Sequence, residues 1–159
     1  MDALARKVGQ RLKSAKAVLV TAESCTGGWV AQLVTSVAGS SEWFERGFVT
    51  YSNASKRELL GVRAETLQQH GAVSEQTAGE MAVGAIGRSQ GTVAISITGV
   101  AGPSGGSEAK PVGTVCFAWA LRAGPCHSET VRFKGDREGV RRQSVIHALE
   151  GVLKHLDAG

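Results

Sequence analysis

Residues 21–28 read Thr-Ala-Glu-Ser-Cys-Thr-Gly-Gly, so an acid, a hydroxyl and a thiol stand side by side at Glu23, Ser24 and Cys25. The β-forming run Ala17 to Ala22 leads into them, and the helical pattern of Trp29 to Val37 follows, which makes the stretch a strand-to-helix turn. Turns at the carboxyl ends of strands are where α/β proteins bind ligands. Backbone N–H groups at a helix start, from Cys25 onward, point at whatever lies there and could hold a phosphate, or an oxyanion forming on a substrate attacked by Ser24. The same residue types also make ordinary helix N-caps, Ser24 or Thr26 here, and the stretch is not the GxSxG pattern. Both roles for Ser24 stay open on the chemistry of the turn alone. Cys25 is a rival nucleophile, since thiolates at helix starts are activated. A thiolate usually works with a histidine, however, and His70, His127, His147 and His155 are remote and at no recognisable spacing. Cys25 is therefore read as a small buried residue.

A serine nucleophile needs a base, and Tyr-Ser-Asn-Ala-Ser-Lys at 51–56 offers one. Tyr51 ends a strand and Lys56 opens a helix, again at a strand end. Lys56 can remove a proton only when neutral, so burial or a cationic neighbour has to bring its pKa well below ~10.4. The alternative is a solvated charge on a helix surface. Between Thr98 and Gly113 the chain passes five glycines and two prolines, a composition suited to wrapping a polar ligand with backbone N–H groups. It lacks the Lys-Ser/Thr pair of a Walker loop, and a connection longer than ~12–15 residues in a compact domain tends to be functional. Asp136 is placed to cap the last helix, with Arg137, Arg141 and Arg142 near its start. A guanidinium among them could meet an anionic group, or all could be a solvated helix face.

The elements that must position these residues alternate. Leu4, Val8 and Leu12 mark a first helix, Ala17 to Ala22 a buried strand, Trp29 to Val37 a helix, and Trp43 to Ser52 a second strand. Ser55 to Leu60 and Ala64 to Gln69 predict short helices, and Ser74 caps a longer one running to Arg88. Thr92 to Gly99 and Val112 to Leu121 predict strands, Ser128 to Lys134 a strand with one wet face, and Val145 to Leu156 carries the apolar stripe of a closing helix. Interleaved strands and helices give an α/β architecture, with helices on both faces of a mixed sheet, in one compact domain over 1–159.

Composition excludes several classes. Hydrophobic residues make up 42% and charged residues 20%. No apolar run approaches the ~20 residues of a membrane span, and the N-terminus has no apolar signal region, so no membrane partner and a cytoplasmic location are expected. Three cysteines without CxxC spacing favour reduced thiols over disulfides or zinc, and no metal is expected. The net charge of +4 comes from scattered basic residues without a stripe or interleaved aromatics, which suits a small anionic ligand better than nucleic acid.

Taken together, AESCTGG at 22–28, GSSEWFERGFVTYSNASK at 39–56, GAVSEQTA at 71–78 and ITGVAGPSGGSEAKPVGTV at 97–115 resemble the CinA C-terminal domain family, the nicotinamide-nucleotide amidases. The resemblance covers nearly the whole chain. It implies a hydrolase that deamidates nicotinamide mononucleotide to nicotinate mononucleotide and ammonia for pyridine-nucleotide recycling. The family's nucleophilic serine falls on Ser24, and its lysine and tyrosine on Lys56 and Tyr51. It further implies a three-layer α/β/α sandwich, a homo-oligomer, no metal or other cofactor, and the stand-alone form without the N-terminal domain of many relatives. Substrate contacts are expected from Glu23, Cys25, Thr26, Gly27, Gly28 and Asn53 at the turn. Thr98, Gly99, Gly102, Pro103, Gly105 and Gly106 of the glycine loop, and Arg137 and Arg141, are expected to add others. Glu23 could orient Lys56, handle the leaving ammonia or bond the backbone of its own turn. A non-catalytic nucleotide-binding module is the alternative reading, and a DNA-associated protein a third.

Overall fold

The computed structural model describes residues 1–158. Its strands are β1 (Leu19–Glu23), β2 (Phe44–Val49), β3 (Val93–Gly99), β4 (Thr114–Leu121) and β5 (Cys126–Arg132). Its helices are α1 (Asp2–Ser14), α2 (Trp29–Thr35), α3 (Asn53–Leu60), α4 (Ala64–His70), α5 (Glu75–Gly87) and α6 (Arg137–Ala158). The strands form one sheet in the order β2-β1-β3-β4-β5. β1 runs parallel to β2 and β3, and β3, β4 and β5 pair antiparallel, so the sheet is mixed.

Continuous apolar runs mark the strands covered on both faces: every residue of β1 is buried, as is nearly all of β3 and β4. β5, at an edge, has one wet face, as its alternation predicts. It begins at Cys126 rather than Ser128, because backbone pairing with Ala120 continues through residues whose side chains are all exposed. Side-chain alternation marks only the half-buried part of such a strand.

The two faces of the sheet differ in side-chain size. Leu19, Ile95, Ile97, Phe117 and Trp119 project towards α1, α2 and α6, whose Val8, Leu12, Val30, Leu149 and Val152 complete that core. Each such side chain, fully buried, contributes ~1.5–3 kcal/mol. On the opposite face Ala22, Ala94, Ala118 and Ala120 meet Ala78, Met81, Ala82 and Ala85 of α5. Small residues on both sides let α5 lie close to the sheet, near enough for Ser96 Oγ to donate to the Ala78 carbonyl at 2.6 Å. These are the three layers of an α/β/α sandwich. Among the described residues no helix is long and apolar enough to cross a membrane.

Three details of this frame position the site. Ser52 Oγ caps α3 by accepting from Ser55 N–H at 3.0 Å. α3 then docks on α5 at Gly84, where a Cβ would stand 1.9 Å from the Leu60 carbonyl oxygen, so the helices touch through backbone. At the far end of the chain, Asp136 Oδ1 accepts from Gly139 N–H at 2.8 Å and starts α6. The segments leaving the carboxyl ends of β1, β2 and β3 emerge at one rim of the sheet. They are the turn at 24–28, the stretch at 50–52 before α3, and the loop at 100–113.

Candidate active site

At that rim Lys56 is folded inward and only 1% exposed. Its Nζ lies 2.9 Å from Ser24 Oγ, 3.0 Å from the Thr50 carbonyl oxygen and 3.1 Å from the Tyr51 carbonyl oxygen. Burial holds its pKa below the ordinary lysine value. Charged, the amine can donate to all three oxygens; neutral, its two N–H groups can serve the two carbonyls and leave its lone pair for the Ser24 hydroxyl proton. The chain supplies no carboxylate ion pair to this amine among the described residues. A residue read as a possible surface charge is thus the largest fully buried side chain in the molecule's described part.

The start of α2 is arranged differently from the expectation that its N–H groups face a ligand. Glu23, 1% exposed, fills that position itself. Its Oε1 accepts from Thr26 Oγ1 at 2.6 Å and Val30 N–H at 2.9 Å, and its Oε2 from Ala31 N–H at 3.1 Å. Trp29 N–H goes to the Thr26 carbonyl. Of the three roles open to Glu23, the coordinates show the third, bonding to backbone, and its carboxylate does not reach the cavity. An acid one residue before the nucleophile position caps the helix that the turn opens. The donors left over are earlier: the N–H groups of Cys25 and Thr26 donate to no other described residue.

Gly27 and Gly28, at φ +61° and +103°, give the turn its left-handed backbone but do not line the cavity. Burial pushes the Cys25 thiol up to about 12, so it is protonated at neutral pH and a poor nucleophile. Tyr51 meets Lys56 through its carbonyl, not its ring: the residue is 64% exposed, and its hydroxyl accepts from Arg137 Nη2 at 3.3 Å. Arg137 also donates from Nη1 to the Gly102 carbonyl at 2.8 Å, joining the glycine loop to Tyr51. Arg141 faces away from the cavity, donating to the carbonyls of Cys25 at 3.0 Å and Thr26 at 3.2 Å.

Ser24 opens into a cavity of about 350 Å³, within the range of small-ligand sites. Of the residues expected from sequence, Ser24, Cys25, Tyr51, Asn53, Lys56, Thr98, Gly99, Gly102, Gly105 and Arg137 line it. Glu23, Thr26, Gly27, Gly28, Pro103, Gly106 and Arg141 do not; they belong to the frame of the turn and loop, where Thr26 keeps a backbone N–H that donates to no other described residue. Gly106, for instance, packs where a Cβ would come 2.7 Å from Val112 N. Val100, Ala101 and Ser104, of the loop read as a ligand contact, also line the cavity, as do Ala72 and Val73, which no sequence signal marks as site residues. Ala72 and Val73 belong to the GAVSEQTA stretch, and the Ala72 carbonyl is tied to the site by Thr98 Oγ1 at 2.8 Å. A larger depression of about 750 Å³ between α3, α5 and β5 is far from Ser24 in the fold and holds none of these groups. No group of three or more His, Cys, Asp or Glu among the described residues could hold a metal ion.

Known proteins are similar to this chain in sequence and in fold. The sequence model of the CinA C-terminal domain matches residues 1–156. The chain is 57% identical over 147 residues to the nicotinamide-nucleotide amidohydrolase PncC of Escherichia coli K12, covering 92% of this chain and 89% of that protein. It superimposes with a TM-score of 0.96 and 40% identity on a competence-damaged protein (CinA) superfamily protein from Klebsiella pneumoniae, covering 99% and 98% of the two chains. The competence/damage inducible protein CihA from Agrobacterium tumefaciens superimposes with a TM-score of 0.94 and 45% identity, covering 98% and 94%. By sequence and by fold, the chain belongs to the CinA C-terminal domain family.

Proposed function

We propose that this protein hydrolyses the carboxamide of nicotinamide mononucleotide, releasing ammonia and nicotinate mononucleotide, with Ser24 as nucleophile and Lys56 as general base. The observation that carries the reading is the buried Lys56 amine 2.9 Å from Ser24 Oγ, and the amidohydrolase at 57% identity supports the substrate. Lys56 takes the Ser24 proton as Oγ bonds to the carboxamide carbon, and the oxyanion that forms is met by the N–H groups of Cys25 and Thr26. When the tetrahedral species collapses, the C–N bond breaks and the nitrogen receives the proton from Lys56, leaving as ammonia. Water then attacks the acyl-serine, with Lys56 again taking a proton. The C–Oγ bond breaks and Ser24 regains its hydrogen.

The remaining cavity wall suits an anionic ribose phosphate. The N–H groups of Gly102, Ser104 and Gly105 donate to no other described residue, and Arg137 stands beside them with donors to spare. The product chemistry is that of pyridine-nucleotide recycling.

Ammonia release from nicotinamide mononucleotide, its riboside and the dinucleotide, for wild type and Ser24→Ala, tests the reading. Turnover of the mononucleotide by wild type alone, at least ~10²-fold above Ser24→Ala, is expected. Binding without turnover by wild type would make the protein a nucleotide-binding module, and unimpaired Ser24→Ala would remove Ser24 from the chemistry.

A further inference from the structure

The guanidinium of Arg141 is half-buried beside the Ser24 turn, and it has no carboxylate within salt-bridge distance among the described residues. Its Cζ lies 5.5 Å from the centroid of the Trp29 ring, a cation–π distance. Its Nε and Nη2 reach the consecutive carbonyls of Cys25 and Thr26. An unneutralised, partly desolvated charge whose hydrogen bonds fall on two adjacent peptide groups of the nucleophile turn calls for a reason.

In a planar trans peptide the N–H points opposite to the C=O. The Cys25 carbonyl shares a peptide group with Thr26 N–H, and the Ser24 carbonyl shares one with Cys25 N–H. The first is held by Arg141 Nε at 3.0 Å and the second by Gly27 N–H at 3.1 Å. Both peptide planes around Cys25 are therefore fixed from their oxygen ends, while their N–H ends donate to no other described residue and Cys25 lines the cavity beside Ser24. A guanidinium on the carbonyl also polarises the peptide and strengthens its N–H as a donor. The planar fork of an arginine meets the two carbonyls from separate nitrogens at fixed spacing, an arrangement that the single nitrogen of lysine does not reproduce.

We propose that Arg141 is a positioning residue for amide hydrolysis: it clamps the Cys25 carbonyl, whose peptide carries Thr26 N–H, and the Thr26 carbonyl, whose peptide carries the Gly27 N–H that holds the Ser24 carbonyl, so that the N–H groups of Cys25 and Thr26 are preset to receive the oxyanion. The proposal rests on the serine reading above and departs from the expectation that Arg141 contacts substrate. Donors preset for the transition state act on turnover, whereas a substrate-binding arginine acts on KM.

Steady-state ammonia release from nicotinamide mononucleotide by Arg141→Ala and Arg141→Lys separates these roles. Displacement of oriented donors costs about 10²-fold. Both variants should lose kcat on that order with KM within about threefold of wild type, and millimolar guanidinium should restore Arg141→Ala but not Arg141→Lys. Should Arg141→Ala fail to fold by circular dichroism, Arg141→Lys, which keeps the charge and the stem, carries the test through the same split. Unchanged kcat in a folded variant, a loss confined to KM, or no rescue by guanidinium overturns the clamp. Ser24→Ala is run beside them: its inactivity with a fully active Arg141→Lys removes the clamp and leaves the serine standing, whereas an active Ser24→Ala overturns the serine reading itself.

Discussion

Glu23→Gln is the substitution that asks most of the cap described for α2. The side chain keeps its shape but exchanges one oxygen for an NH₂ group. Oriented to keep the contacts from Thr26 Oγ1 at 2.6 Å and Val30 N–H at 2.9 Å, glutamine turns its NH₂ against Ala31 N–H, 3.1 Å from where Oε2 stood. A donor then faces a donor at a residue 1% exposed, where water cannot substitute. Losing one hydrogen bond to a charged group costs ~1.5–3 kcal/mol, and losing a negative charge at a helix start adds ~0.3–1 kcal/mol. The expected destabilisation is about 2–4 kcal/mol, roughly 5–15 °C in Tm for a chain of this size. Urea unfolding followed by circular dichroism, with ammonia release measured well below the new Tm, reads both effects. Activity should fall less than in Ser24→Ala, because the cap shapes the turn without touching the substrate. A stability change under ~0.5 kcal/mol accompanied by loss of turnover would refute the reasoning, since it would make Glu23 a participant in the chemistry.

As the proposed base, Lys56 would work only when neutral, and burial holds its pKa below the ordinary 10.5. The logarithm of kcat should therefore climb with a slope near one as pH rises and level off below that value; a plateau reached only above ~10.4 would contradict a buried neutral base. Gly84→Ala places a methyl 1.9 Å from the Leu60 carbonyl oxygen, so α3 has to shift; a cost of ~1–3 kcal/mol and a fall in kcat are expected, checked by thermal melts and the same ammonia assay. His155 stacks on His127 with ring centroids 4.6 Å apart, and burial followed by the His127 charge lowers its pKa below 6.5. Its contribution is complete above that unfolded-state value and is lost as pH falls towards the lower folded-state one, so melts from pH 7.5 to 5 should decline more steeply in wild type than in His155→Asn, and identical slopes would count against it.

What could be read from sequence divides along physical lines. β1, β3 and β4 were visible because strands buried on both faces are apolar without interruption, and Ser74 and Asp136 because caps need short polar side chains. Ser24 and Lys56 were each recognisable as strand-end residues, yet nothing in the spelling of Lys56 says that α3 turns it inward. That follows from the backbone contact at Gly84, a tertiary fact. From sequence, Glu23 reads as a site residue or a backbone contact of its own turn, and Arg141 as an anion contact or a solvated charge. Their donors and acceptors are satisfied by backbone, which depends on where α2 and α6 come to lie. Ala72 and Val73 were overlooked because small apolar residues announce no chemistry. They form cavity wall only through the folding of the chain between α4 and α5.

The hold of Arg141 on the turn spans 116 positions of sequence. During synthesis, the turn is made first and its clasp last, an interval on the order of ten seconds at ribosomal speed. Within that interval β1 gains both of its sheet partners, β2 and β3, yet the serine, although already joined to the polypeptide, lacks the helix that sets its neighbours. Amide-cleaving capacity would thus switch on as one of the final events of biogenesis, timed by the arrival of α6 rather than by the appearance of the reactive residues themselves.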